Sequence, residues 1–92
     1  MMKMELKETV DLMLSDDYKE RFKAEYYQVT IRIDKLDTMI LKYKNNELEF
    51  KPSCSVEVLE RQLEAMLKYA KSLEVRAEIE GIDISKIHLM EE

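Results

Sequence analysis

The sequence predicts an all-α protein: a long antiparallel helical hairpin with a short N-terminal helix, assembled into an oligomeric helical bundle. Three observations predict it. The 92 residues contain one glycine and one proline, too few breakers for an all-β chain, which needs a turn every ~8–12 residues. Two apolar seams run without interruption at helical spacing, one from Tyr18 to Tyr43 and one from Leu59 to Ala77. Each helix carries apolar residues beyond its seam, and a bare hairpin of this size would leave them in water. The length suits a single domain spanning 1–92.

The first element is residues 4–14, where Leu6, Val10, Met13 and Leu14 share one face of a short amphipathic helix. Ser15, Asp16 and Asp17 break the chain and restart it. Asp17 followed by Glu20 has the form of a capping box, with Ser15 or Asp16 as alternative caps.

A long helix is then predicted over 16–44. Its seam is Tyr18, Phe22, Tyr26, Val29, Ile33, Leu36, Ile40 and Tyr43, in steps of three and four residues. Within it, YYQVTIRI at 26–33 alternates like a strand and is rich in β-branched residues. The helical period continues on both sides and no turn residue bounds the stretch, so it is read as helix with a small propensity cost. Lys42, Lys44 and then Asn45-Asn46 are stop signals.

Residues 45–54 form a connector, in which Leu48 and Phe50 are expected to plug the end of the hairpin. Ser53, Cys54 and Ser55 are N-cap candidates for a second long helix over 55–80. Its seam is Leu59, Leu63, Met66, Ala70, Leu73 and Ala77, and Gly81 stands where a left-handed residue would close it. The tail, 81–92, is ambiguous; Ser85 would cap one more short turn.

Off-seam residues remain. The first long helix carries Ala24, Tyr27, Ile31 and Leu41, and the second Val56, Leu67 and Val75. The second also carries the row Val58, Gln62, Ala65, Tyr69, Ser72 and Arg76. The N-terminal segment would cover one such face and a second copy of the chain another.

Composition narrows the function. The net charge is −5, which favours solubility and opposes direct binding to a nucleic-acid backbone. No apolar run reaches the ~18–20 residues of a membrane span, and the N-terminus lacks the form of a secretory signal. The lone cysteine, Cys54, cannot form an intramolecular disulfide and suits a reducing cytoplasm. Enzyme signals are nearly absent. A single glycine rules out phosphate-binding glycine loops. The single histidine, His88, reads as a packing or surface residue, and no Cys/His cluster has metal-ligand spacing. We expect no cofactor and no metal.

Two constellations can bind. Arg21, Gln28, Arg32, Lys35 and Lys42 fall on one face of the first long helix with Tyr27 beside them, a set able to hold a phosphate and stack a base. A solvated charged face interrupted by Glu25 is the plainer reading. Gln62, Tyr69 and Arg76 recur at heptad spacing with small Ala65 and Ser72 between them. That row suits a polar interface between subunits more than a ligand groove. The ligand candidates are therefore Tyr27, Arg32, Tyr69 and Arg76, and the interface candidates Val58, Gln62, Ala65, Tyr69 and Ser72.

The stretches DDYKERFKAEYYQVTIRIDKL, LEFKPSC and VLERQLEAMLKYAKSLEVRAEIEGI, spanning residues 16–82, resemble a family of small phage and prophage proteins named after a member from crAss-like phages. Ser55 stands where that family usually has proline. The resemblance implies a phage context and the cytoplasm of an infected bacterium rather than a mechanism. The helix–loop–helix shape is also similar to the hairpin of phage anti-CBASS and anti-Thoeris sponges, which assemble and sequester cyclic nucleotide signals at subunit junctions. Their sequence motifs are absent here, so no residue role carries over.

The expected function is thus non-enzymatic counter-defence: a homo-oligomer sequestering a nucleotide signal at subunit junctions. The alternatives are an acidic inhibitor of a host nucleic-acid-binding defence protein, and an assembly adaptor with no small ligand.

Overall fold

The computed structural model describes residues 4–84. His88 and the suggested last turn at Ser85 lie outside the described residues. A single 3₁₀ turn, Leu6–Thr9, leads into the short helix α1, Val10–Met13; two long helices follow, α2 (Tyr18–Lys44) and α3 (Val56–Glu80). No strand occurs among the described residues, and YYQVTIRI lies inside α2. No helix among them is long and apolar enough to cross a membrane.

Local chemistry sets each boundary. The Asp17 carboxylate accepts from the Lys19 backbone N–H at 3.0 Å, so α2 begins at Tyr18, two residues later than expected. Ser15 Oγ in turn accepts from the Asp17 N–H at 3.0 Å and fixes the entry of the chain. The far end closes through Asn46, which takes a left-handed φ of 59°. Glu47 N–H then reaches back to the Lys42 carbonyl at 2.8 Å and Asn46 N–H to the Tyr43 carbonyl at 3.2 Å, the double bond of a Schellman motif. Ser55 is the cap that α3 uses, its hydroxyl accepting from Val58 N–H at 3.3 Å. Gly81, at φ 69°, ends α3, and Ile82 N–H bonds to the Ala77 carbonyl at 2.9 Å while its side chain is buried.

α2 and α3 lie antiparallel along a body of 43 × 25 × 24 Å, the length expected of a 27-residue helix at about 1.5 Å per residue. Their seam is the core: Phe22, Tyr26, Val29, Ala70, Leu73 and Ala77 are buried, and Ile33 and Met66 pack against them. The connector differs from expectation. Leu48 is half-buried but Phe50 is exposed, so Phe50 does not plug the hairpin. The end is tied instead by the Tyr43 hydroxyl, which donates to the Cys54 carbonyl at 3.4 Å.

The N-terminal segment is held to α2 by polar anchors. Thr9 is fully buried; its hydroxyl donates to the Leu6 carbonyl at 2.7 Å and accepts from the Gln28 amide at 2.8 Å. Lys35 pairs with Glu5 at 3.3 Å, and an Arg21 Nη donates to the Ser15 carbonyl at 2.8 Å. Ala24, Tyr27 and Ile31, the second stripe of α2, are buried, whereas Leu41 beyond the reach of the segment stays exposed.

Candidate functional site

The two edges of the α2–α3 seam differ in chemistry. On one edge lies the outer row of α3, and Val58, Gln62, Ala65, Tyr69, Ser72 and Arg76 are all exposed there. Two residues of the row are tied to α2. The Tyr69 hydroxyl donates to the Glu25 carboxylate. Arg76 donates from one Nη to the Tyr18 hydroxyl at 2.7 Å and from Nε to Glu80 at 3.4 Å, while the Tyr18 hydroxyl donates to the other Glu80 oxygen at 2.9 Å. The guanidinium sits 4.9 Å from the centre of the Phe22 ring, a cation–π distance. Desolvation pulls the Arg76 pKa down; the Tyr18 oxygen and the Glu80 carboxylate more than offset this and hold it above its ordinary value. Arg76 is thus a permanently charged group in a fixed position.

The Tyr18–Arg76 and Glu25–Tyr69 contacts share one antiparallel register. Carried one heptad further, it sets Arg32 across from Gln62. Arg32 is exposed. Three of the four ligand candidates, Arg32, Tyr69 and Arg76, therefore stand along one edge, at intervals of about 10 Å per heptad.

Tyr27 is placed elsewhere. Its side chain is 6% exposed and belongs to the core cluster with Ile82, and its ring meets that of Tyr26 at 6.1 Å. Burial, with a smaller contribution from Asp83, raises its pKa. No flat face of Tyr27 is open to a base in the folded chain. The basic row expected on α2 is divided as well: Arg21, Gln28 and Lys35 are the anchors of the N-terminal segment. Their part in docking that segment has no signature along the chain, because it depends on where 4–14 folds back.

The opposite edge carries a groove of about 400 Å³ between α2, α3 and the residues Met4 and Glu5. Ile33, Leu67 and Ala70 form apolar walls. The Tyr26 hydroxyl and the Glu74 carboxylate meet there at 2.7 Å. Around them stand Asp34, Asp37, Lys35 and Lys71. This groove is absent from the sequence reading. Ile31 and Leu67, both off the seams, are the signals that pointed to it.

Among the described residues no three His, Cys, Asp or Glu side chains are grouped to hold a metal ion. Cys54 is exposed with a free thiol, and the Glu60 carboxylate is paired with Lys44.

Comparison with known proteins finds a family match. The family model described as Sequestin matches residues 16–79, from the Asp pair that opens α2 to the last turn of α3. No curated protein and no solved structure matches the chain.

Proposed function

The chain belongs to the Sequestin family, and from that premise we propose that it is a non-enzymatic phage accessory protein acting by sequestration. Copies meet along the outer row of α3 and trap an anionic nucleotide signal, such as a cyclic nucleotide, at the junction. The family name supports a sequestering role. The observation that carries the reading is the alignment of Arg32, Tyr69 and Arg76 on one exposed edge. A guanidinium offers paired donors to a phosphate, and a phenol ring offers a surface to a base. Two of the five Arg76 donors are engaged by Tyr18 and Glu80 among the described residues, which leaves donors for an incoming phosphate. Ala65 and Ser72 between the larger residues allow a second helix to approach closely. A cytoplasmic role in an infected bacterium fits this reading.

A second reading has its own support. Tyr69 and Arg76 are already bonded within the chain, as they would be if they only stiffened a subunit interface of an assembly adaptor. One experiment separates the two. The protein is made in phage-infected cells and examined by sizing chromatography and native mass spectrometry, then by thermal unfolding with a panel of cyclic nucleotides. Sequestration predicts an oligomer with a co-purified nucleotide mass. It also predicts a stability gain that grows with ligand, about 2.7 kcal/mol at a hundred times Kd. An oligomer with no ligand mass and no thermal shift across the panel supports the adaptor. A monomer without a shift overturns both.

A further inference from the structure

The row Val58, Gln62, Ala65, Tyr69, Ser72 and Arg76 has the same spacing read from either end: four, three, four, three, four. It can therefore meet a second copy of itself running the opposite way. From this symmetry, and resting on the sequestration reading above, we propose that two copies pair antiparallel along the row and share each nucleotide site. Arg76 of one copy and Arg32 of the other hold the same ligand.

The pairing follows from shape and charge. A two-fold axis level with residue 67 sets Tyr69 against the partner's Ala65, Gln62 against the partner's Ser72 and Val58 against the partner's Arg76. A ring then meets a small residue, an amide meets a hydroxyl, and an isopropyl group meets the methylene stem of an arginine. All six are exposed in the single chain. The charges of α3 are polarised as well. Glu57, Glu60 and Glu64 outnumber Arg61 in the first half of this span, and Lys68, Lys71 and Arg76 outnumber Glu74 in the second. Antiparallel pairing brings the acidic half of each copy to the basic half of the other and opposes the two helix dipoles. Parallel pairing would stack like on like.

The shared site follows from distance. Within one chain Arg76 is pinned at Tyr18, and Arg32 lies fourteen residues further along α2, about 21 Å away along the axis. One arginine side chain cannot cross that gap. The antiparallel register closes it. Gln62, with Arg32 across from it, comes level with the partner's Ser72, one turn or about 6 Å from the partner's Arg76. Charge asks for the same partner. Glu80 compensates Arg76, and Glu25 holds the Tyr69 hydroxyl, so this edge of a single chain has little net positive charge. The second guanidinium supplies it, together with paired donors for phosphate. A dimer then carries two identical sites, each incomplete in one chain.

Mixing two defective chains tests the shared site. The probes are cyclic AMP, cyclic di-AMP, cyclic di-GMP and cyclic tri-AMP, by isothermal titration. Arg32→Ala and Arg76→Ala should each weaken binding by about ten-fold or more. Both positions are exposed, so both variants should fold. After subunit exchange in an equimolar mixture, half of the dimers hold one chain of each kind. One of the two sites in such a dimer has both arginines, so about a quarter of the wild-type capacity should return at wild-type affinity. If mixing restores nothing although the wild type binds, the proposal falls and sequestration stands. The register is tested on chains carrying Cys54→Ser. Gln62→Cys and Ser72→Cys should form an intermolecular disulfide when mixed, and not when either is oxidised alone. Self-linking of either variant means parallel pairing and overturns the proposal. A wild-type dimer that binds none of the probes also overturns it and leaves the adaptor reading; a wild-type monomer that binds none overturns it together with both readings above.

Discussion

The hydroxyl of Tyr26 donates to the carboxylate of Glu74 at 2.7 Å, joining α2 to α3 from a ring that is 1% exposed. A buried phenol needs a partner for its proton. Glu74 supplies one at the rim, where the carboxylate keeps contact with water. This places a directional bond beside the Phe22–Leu73–Ala77 packing, which is itself non-directional, and so fixes the rotation of one helix against the other.

The same pair makes stability depend on alkaline pH. Burial first, then the bond to Glu74 and its charge, raise the Tyr26 pKa far above the ordinary 10. Above pH 10 the unfolded chain has lost this proton and the folded chain has kept it. Stability should therefore be constant with respect to Tyr26 below about pH 10 and fall as pH rises beyond it. Urea unfolding between pH 8 and 11.5 checks this, and Tyr26→Phe should flatten the decline. In neutral buffer the same variant should lose about 1.5–3 kcal/mol, because the bond is to a charged acceptor.

Thr9 is the anchor of the N-terminal segment. Thr9→Val keeps the shape but removes the acceptor of the Gln28 amide and the donor to the Leu6 carbonyl. We expect a loss of about 1–2 kcal/mol. Loosening of the segment should also open Tyr27, visible as increased quenching of tyrosine fluorescence by acrylamide.

Gly81 is required for its backbone and not for space. A Cβ added there meets nothing within 4 Å, but φ is 69°. Gly81→Ala should cost about 1–2 kcal/mol in urea unfolding, the price of a left-handed residue with a side chain. Ser55→Ala at the other end of α3 should cost about 1 kcal/mol.

On the α3 row, Tyr69→Ala should leave the helical content unchanged by circular dichroism, since its side chain is exposed. If copies meet along this row as proposed, sizing chromatography should then show loss of that assembly. Arg76→Ala should weaken a captured nucleotide by about ten-fold or more by isothermal titration, through loss of charge-assisted bonds. If nucleotide binding survives both variants, the row is not the site.

Much of the fold was legible along the chain because its signals are local. Periodicity carried α2 through YYQVTIRI, and Gly81 marked the end of α3 as the only residue able to turn left-handed there without strain. Boundary errors were of a residue or two. At Asp17 the reason is that three adjacent residues can all cap, and only the path of the incoming chain selects one. Among the site candidates, the heptad spacing of Gln62, Tyr69 and Arg76 made them neighbours on one face before any fold was known. It could not show that Arg32 joins them and Tyr27 does not.

The amino-acid sequence by itself determined that this protein is helical, where its two long helices start and stop to within a residue or two, and which residues of each helix share a face. Only the tertiary structure decided what meets each face: Thr9 of the N-terminal segment at Gln28, Glu74 at Tyr26, Glu25 at Tyr69, and an open groove beside Leu67. The physical reason is that helix formation and capping depend on residues within about four positions of one another. The rotation and register of two packed helices depend instead on side chains some 44 to 62 positions apart, as in Glu25–Tyr69 and Tyr18–Glu80.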